Sequence, residues 1–151
     1  MKIEHALHID APHGLVWALT DDIESWPRHT PTITSVERLD PGPLEVGSRV
    51  RIEQPRLPAR TWTVTDFEPG HRLTWWTRLL GAKMIATHQV EAVDPGEPSS
   101  GTTNTLAVEF EGPTGWPVGK VFGRAVRRAI ATENEGFRSA AEAQARLQHT
   151  R

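Results

Sequence analysis

Residues 61–90 read TWTVTDFEPGHRLTWWTRLLGAKMIATHQV, and the fold follows from how these side chains alternate. Successive side chains on a strand point to opposite faces of the sheet. Thr61, Thr63 and Thr65 suit a wet face, which turns Trp62 and Val64 to the other side. The Pro-Gly pair inside Glu68–His71 marks a turn. An even-length turn there sets residue 64 opposite 75 and residue 66 opposite 73. Asp66, Leu73, Trp75 and Thr77 then face inward, while Trp76 and Arg78 face out. A two-residue turn at Leu80-Gly81 sets 77 opposite 84 and 73 opposite 88. Met84, Ala86, His88 and Val90 therefore join the inner face, and Gln89 and Glu91 face water. A single bulge would invert the faces beyond it.

Outward from this segment the same alternation recurs. Strands are expected at Ile33–Leu39, Ser48–Gln54, Arg60–Phe67, Arg72–Leu79, Lys83–Val93 and Thr102–Phe110. Short loops join these six, which argues for an antiparallel meander. On the last of them Leu106, Val108 and Phe110 form the apolar set. Ile3, His5, Leu7 and Ile9 alternate with polar neighbours and form a seventh strand at the start of the chain. Ala11-Pro12 ends it, and Pro12 opens a helix through Leu15, Val16 and Leu19. A second short helix spans Asp22–Trp26, stopped by Pro27.

The tail is helical, from about Pro117 to Leu147 and ~45 Å long at 1.5 Å per residue. Val118, Phe122, Ala125, Ala129, Ala140 and Leu147 mark its apolar stripe. That stripe needs a partner, and the inner face of the sheet is the only large one. The expected architecture is α+β: a seven-stranded antiparallel curved sheet wrapped around a long C-terminal helix, with two short helices after the first strand. Length suits one domain over residues 1–151.

Composition narrows the function classes. With 17 basic and 19 acidic residues the formal charge is -2, which gives no reason to expect nucleic acid as a partner. No apolar run reaches the ~18–20 residues of a membrane span. The opening MKIEHALHID lacks the apolar core of a secretory signal, so a cytoplasmic location is expected. Zero cysteines exclude disulfides, thiolate metal sites and cysteine nucleophiles. His88 and Glu91 fall on opposite faces of one strand, so they cannot share a metal, and no H-x-x-x-H helix exists. No metal or cofactor is expected.

Further motifs carry a resemblance. HIDAPHGLVWALTDDIESWP (residues 8–27), GSRVRI (47–52), EPGHRLTW (68–75) and GTT (101–103), followed by the amphipathic tail, resemble the START-like or Bet v 1-like (SRPBCC) superfamily. The likeness is greatest to its polyketide cyclase/dehydrase branch, and it runs along the whole chain. It implies a helix-grip fold in which the C-terminal helix closes a deep pocket. Members include hydrophobic-ligand carriers and aromatic polyketide aromatases/cyclases. Those enzymes usually place an arginine on the strand matching Trp62–Glu68; here there is none, and the chain has no tyrosine.

One helix stripe rarely covers a curved sheet, so a cavity is expected between the two, lined by apolar and aromatic groups. Its expected lining is His5, Trp62, Val64, Trp75, His88, Val108 and Phe110 from the sheet, with Phe122 or Ala125 from the helix. Three readings follow. The first is binding of a small hydrophobic or aromatic molecule by a monomer or homodimer. The second is a cyclase/dehydratase-like enzyme with His88 exchanging protons in aldol closure or loss of water. The third is a scaffold whose interior is filled by its own side chains.

Overall fold

The computed structural model describes residues 1–150. Strand β1 (Lys2–Ile9) leads through Pro12 into helix α1 (His13–Asp21), followed by a 3-10 helix at Ile23–Arg28. Pro27 sits inside that last turn rather than ending it. Then come β2 (Ser35–Arg38), β3 (Arg49–Glu53), β4 (Arg60–Glu68), β5 (Arg72–Leu79), β6 (Ala82–Ala92) and β7 (Thr102–Glu111), and helix α2 (Gly115–His149) closes the fold. The strands form one antiparallel sheet in the order β1-β7-β6-β5-β4-β3-β2. This is the antiparallel sheet with a closing helix expected from the alternation pattern, and the helix-grip arrangement that the resemblance implies.

The register of β4, β5 and β6 agrees with the expected one at Val64 opposite Trp75, Thr77 opposite Met84 and Leu73 opposite His88. The route between them differs. A β-bulge lies between Val64 and Asp66, and the turn after Glu68 has three residues, because Glu68 pairs with Arg72. The extra residue in the strand and the odd-length turn cancel, so the faces above and below them are unaffected. Between the two, the faces exchange. Phe67, not Asp66, stands opposite Leu73, and Phe67 packs 5.8 Å from Trp17 between ring centroids. Asp66, expected inward, lies on the outer face, where Arg72 Nε donates to its Oδ2 at 2.6 Å. The Leu80-Gly81 turn has φ of 50° and 80°, the left-handed pair that matches strand twist in a two-residue hairpin.

Helix α2 packs chiefly on β1 and β7 and touches β6 less. Its buried anchors Ile130, Asn134, Phe137, Ala141 and Ala145 advance in steps of four, three, four and four. That average exceeds the 3.6 residues of a helical turn, so the buried face drifts around the helix as it crosses the twisted sheet. The drift corrects the expected stripe. Ala125 and Leu147 fall outside it and are exposed. At Gly136 the helix packs close against the segment after the 3-10 helix: a Cβ there would run into the carbonyl oxygen of His29.

Because the helix lies over one half of the sheet, the inner face of β3, β4 and β5 is left to other cover. The 3-10 helix, packed on β2, contributes to it by setting Trp26 edge-on to Trp75 with 5.4 Å between centroids. Trp26 is itself fixed by its Nε1–H, which donates to the Leu19 carbonyl at 3.2 Å. No helix among the described residues is long and apolar enough to cross a membrane.

Candidate functional site

A cavity of about 100 Å³ remains between α2 and the sheet. Its floor is formed by inward residues of four neighbouring strands. Trp62 comes from β4, Trp75 from β5, Met84, Ala86 and His88 from β6, and Leu106 and Val108 from β7. All but the half-buried Ala86 are buried residues, as the period-two alternation requires. Helix α2 forms the roof with Val126, Ala129, Ile130 and Glu133, spaced i, i+3, i+4 and i+7 on one helical face. Trp26, Ile33, Ile52 and Gln54 complete the wall.

His88 is 5% exposed and sits in a cage of rings. Centroid distances are 4.7 Å to Trp26 and 6.1 Å to both Trp75 and Phe137. Its Nδ1 is buried with no hydrogen-bond partner. Burial disfavours the imidazolium and holds the His88 pKa down at about 4, so the ring is neutral at pH 7.

Glu133 is the one carboxylate in the lining. The residue is half-buried and borders the cavity, and its carboxyl accepts a hydrogen bond from the Thr32 side chain. Burial pushes the Glu133 pKa up to about 7, and the Thr32 hydroxyl opposes part of that rise. Among the described residues no Lys, Arg or His lies within ion-pair distance of it. The cavity thus combines a neutral proton acceptor with a carboxyl that is roughly half protonated near neutrality. Among the described residues, no three His, Asp or Glu side chains are grouped to hold a metal ion.

Of the residues expected from sequence, Trp62, Trp75, His88 and Val108 border the cavity together. Val64 and Phe110 are buried in the adjoining core, and Phe122 is half-buried against it, all outside the cavity wall. Ala125 is exposed, for the reason of helical drift given above.

His5 has another role. It pairs with Leu106, which pairs on its other side with His88, so the three form one row across β1, β7 and β6. Two strand spacings, ~10 Å, separate the two histidines. Asn134 of α2 holds His5 instead: its Nδ2 lies 3.0 Å from His5 Nδ1 and donates to the His5 carbonyl at 3.1 Å. The same amide group donates to the Asn104 carbonyl at 3.1 Å, while Asn104 Nδ2 donates to Asn134 Oδ1 at 2.7 Å. This buried network clips the helix to β1 and β7.

Sequence reasoning passed over Glu133, although a signal for it existed. Ile130, left out of the expected stripe, extends the apolar spacing from Val126, and the next position on that face is Glu133.

Comparison with known proteins places this geometry. Residues 1–142 match the family described as polyketide cyclase/dehydrase and lipid transport. No curated protein matches the sequence. Among solved structures, the di-domain ARO/CYC BexL from the BE-7585A biosynthetic pathway is similar at TM-score 0.71 and 21% identity, over 92% of this chain. This chain spans only 45% of that protein. Protein jhp0584 from Helicobacter pylori is similar at TM-score 0.76 and 14% identity, over 93% of this chain and 88% of that one. A START superfamily protein from Mycobacterium smegmatis is similar at TM-score 0.65 and 13% identity, over 97% and 98%. At these identities the likeness is one of fold.

Proposed function

The chain belongs to the polyketide cyclase/dehydrase and lipid transport family, and from that premise we propose that it binds a small hydrophobic or aromatic molecule between the sheet and α2. The observation that carries this reading is the cavity itself. It is walled largely by indole and aliphatic groups, with few polar groups among them. Its volume of about 100 Å³ is below the ~300–1,000 Å³ of clefts that take drug-sized ligands. It is nearer the ~150 Å³ apolar cavity that takes up benzene. A one-ring compound or a short aliphatic chain suits it. We place the protein in the cytoplasm as a monomer or homodimer acting on a small molecule, with neither nucleic acid nor membrane insertion involved.

The test is quenching of tryptophan fluorescence by nitrobenzene, a one-ring quencher. Saturable quenching is expected, because Trp62 and Trp75 border the site. Ala129→Phe, which fills the cavity from the helix, should leave only the linear collisional component while far-UV circular dichroism stays unchanged. Linear quenching alone in the parent protein would refute the reading.

The unpartnered Nδ1 of His88 favours a second reading, a cyclase/dehydratase-like enzyme. Neutral His88 would take an α-proton from a polyketone, and the resulting enolate carbon would attack a second carbonyl. The protonated Glu133 carboxyl would return a proton to the new alkoxide, and loss of water would follow. The lining contains no arginine or tyrosine to hold the substrate oxygens, which ranks this reading below binding. Cyclised product from a poly-β-ketone thioester, lost in His88→Ala, would support it; an unchanged product profile would remove it.

A further inference from the structure

The polar content of the cavity is one-sided. Gln54, His88 and Glu133 are the polar residues whose side chains can face it, since Thr87 turns its hydroxyl to Thr74 on the outer face, and no Lys or Arg borders it. His88 is neutral at pH 7, so nothing in the wall carries positive charge. An anionic ligand would meet an acid and no cation. A pure hydrocarbon would offer the Glu133 carboxyl nothing beyond its contact with Thr32, an unfavourable outcome for a group that can ionise. Among the described residues no cation of the protein satisfies that carboxyl.

Glu133 occupies the position that Val126, Ala129 and Ile130 prepare, the next step on an apolar helical face. Across the cavity stand three indoles, Trp26, Trp62 and Trp75. Indole is the side chain most attractive to cations, through the negative face of its ring. A carboxylate and several indoles around one apolar space are the two groups that together recognise an organic ammonium.

We propose that the ligand of this cavity is an arylalkyl or alkyl amine whose ammonium group pairs with the Glu133 carboxylate while its apolar body lies among Trp26, Trp62 and Trp75. This rests on the binding reading above and specifies its ligand class. A buried ion pair gains from the low polarity around it, and the ring faces supply part of the solvation that the ammonium gives up. The apolar body accounts for the remaining walls.

Calorimetric titration of the whole protein with three probes of matched size tests the proposal: 2-phenylethylamine, 2-phenylethanol and 3-phenylpropionate, at pH 7.5. The amine should bind at least about tenfold more tightly than the alcohol, the scale of a desolvated cation–π contact joined to a charge pair. The propionate should bind least. In Glu133→Gln the amine should bind no more tightly than the alcohol, while far-UV circular dichroism matching the parent shows that the fold is intact. Equal binding of amine and alcohol, or a preference that survives in Glu133→Gln, overturns the proposal and leaves the cavity a neutral binding site. Absence of binding by all three overturns the binding reading, and this proposal with it.

Discussion

The imidazole of His88 lies 4.7 Å from the indole of Trp26, centroid to centroid, with no hydrogen-bond partner for its Nδ1. A protonated ring in that position would be a buried unpaired charge. The sheet supplies His88 and the 3-10 helix supplies Trp26, so the contact ties the stability of the whole fold to one proton.

Its consequence is a loss of stability in acid. The unfolded histidine titrates near 6.5 and the folded one at about 4. Above 6.5 neither state binds the proton; between 6.5 and 4 only the unfolded state does. Stability should therefore fall as pH drops through that window, by roughly 3 kcal/mol in total. Urea midpoints measured from pH 7 to 4 should show the loss, and His88→Phe should flatten it. An equally steep fall in the variant would mean that other groups cause it.

Glu133 acts in the opposite direction. Its folded pKa of about 7 stands above the ordinary 4.5, so the folded state keeps the proton longer than the unfolded chain. The protonated carboxyl's contribution is fully present below 4.5 and is lost as pH rises toward and through 7. Glu133→Gln should thus raise the urea midpoint at pH 8 relative to the parent, with the difference shrinking at pH 5. A constant difference between the two pH values would contradict the assignment.

Two helix glycines should respond with opposite signs to alanine. Gly136→Ala drives a methyl group into the His29 carbonyl, and overpacking of this kind costs about 1–3 kcal/mol. Gly123→Ala meets only Ile3 Cδ1, at 3.7 Å, and should gain up to about 1 kcal/mol from helix propensity. Thermal or urea unfolding of the pair checks both, and loss of stability in each would sink the distinction.

The Asn134 clip should matter more than its size suggests. Asn134→Leu removes the partner of a buried Asn104 amide and the acceptor of the 2.7 Å bond between them. Leaving such a group unpaired costs about 1–3 kcal/mol. Amide hydrogen exchange should accelerate in α2 and in β1 around His5, while the β3–β4 pairing stays protected. Uniform acceleration throughout the sheet would show instead that the clip serves only global stability.

The antiparallel sheet, its inward indoles and the inward His88 were all legible along the chain, because a strand side chain has only two faces to choose between. Even the β4 bulge did not upset this: it was illegible, but an odd-length turn offset it, and the faces exchanged only over Asp66, Phe67 and Glu68. Cross-strand pairs such as Leu73 with His88 then followed by counting. The helix was legible in extent but not in orientation.

What residues 1–150 determined by themselves is the order of the elements and the parity of every strand outside the bulge, since local alternation and turn residues encode both. Tertiary structure alone decided which helix residues meet the sheet. A helix can rotate continuously about its axis, and the twist of the sheet beneath it, built from pairings ~100 residues apart in the chain, selects the angle. That angle turned Ala125 to solvent, locked Asn134 onto His5 and brought Glu133 to the cavity.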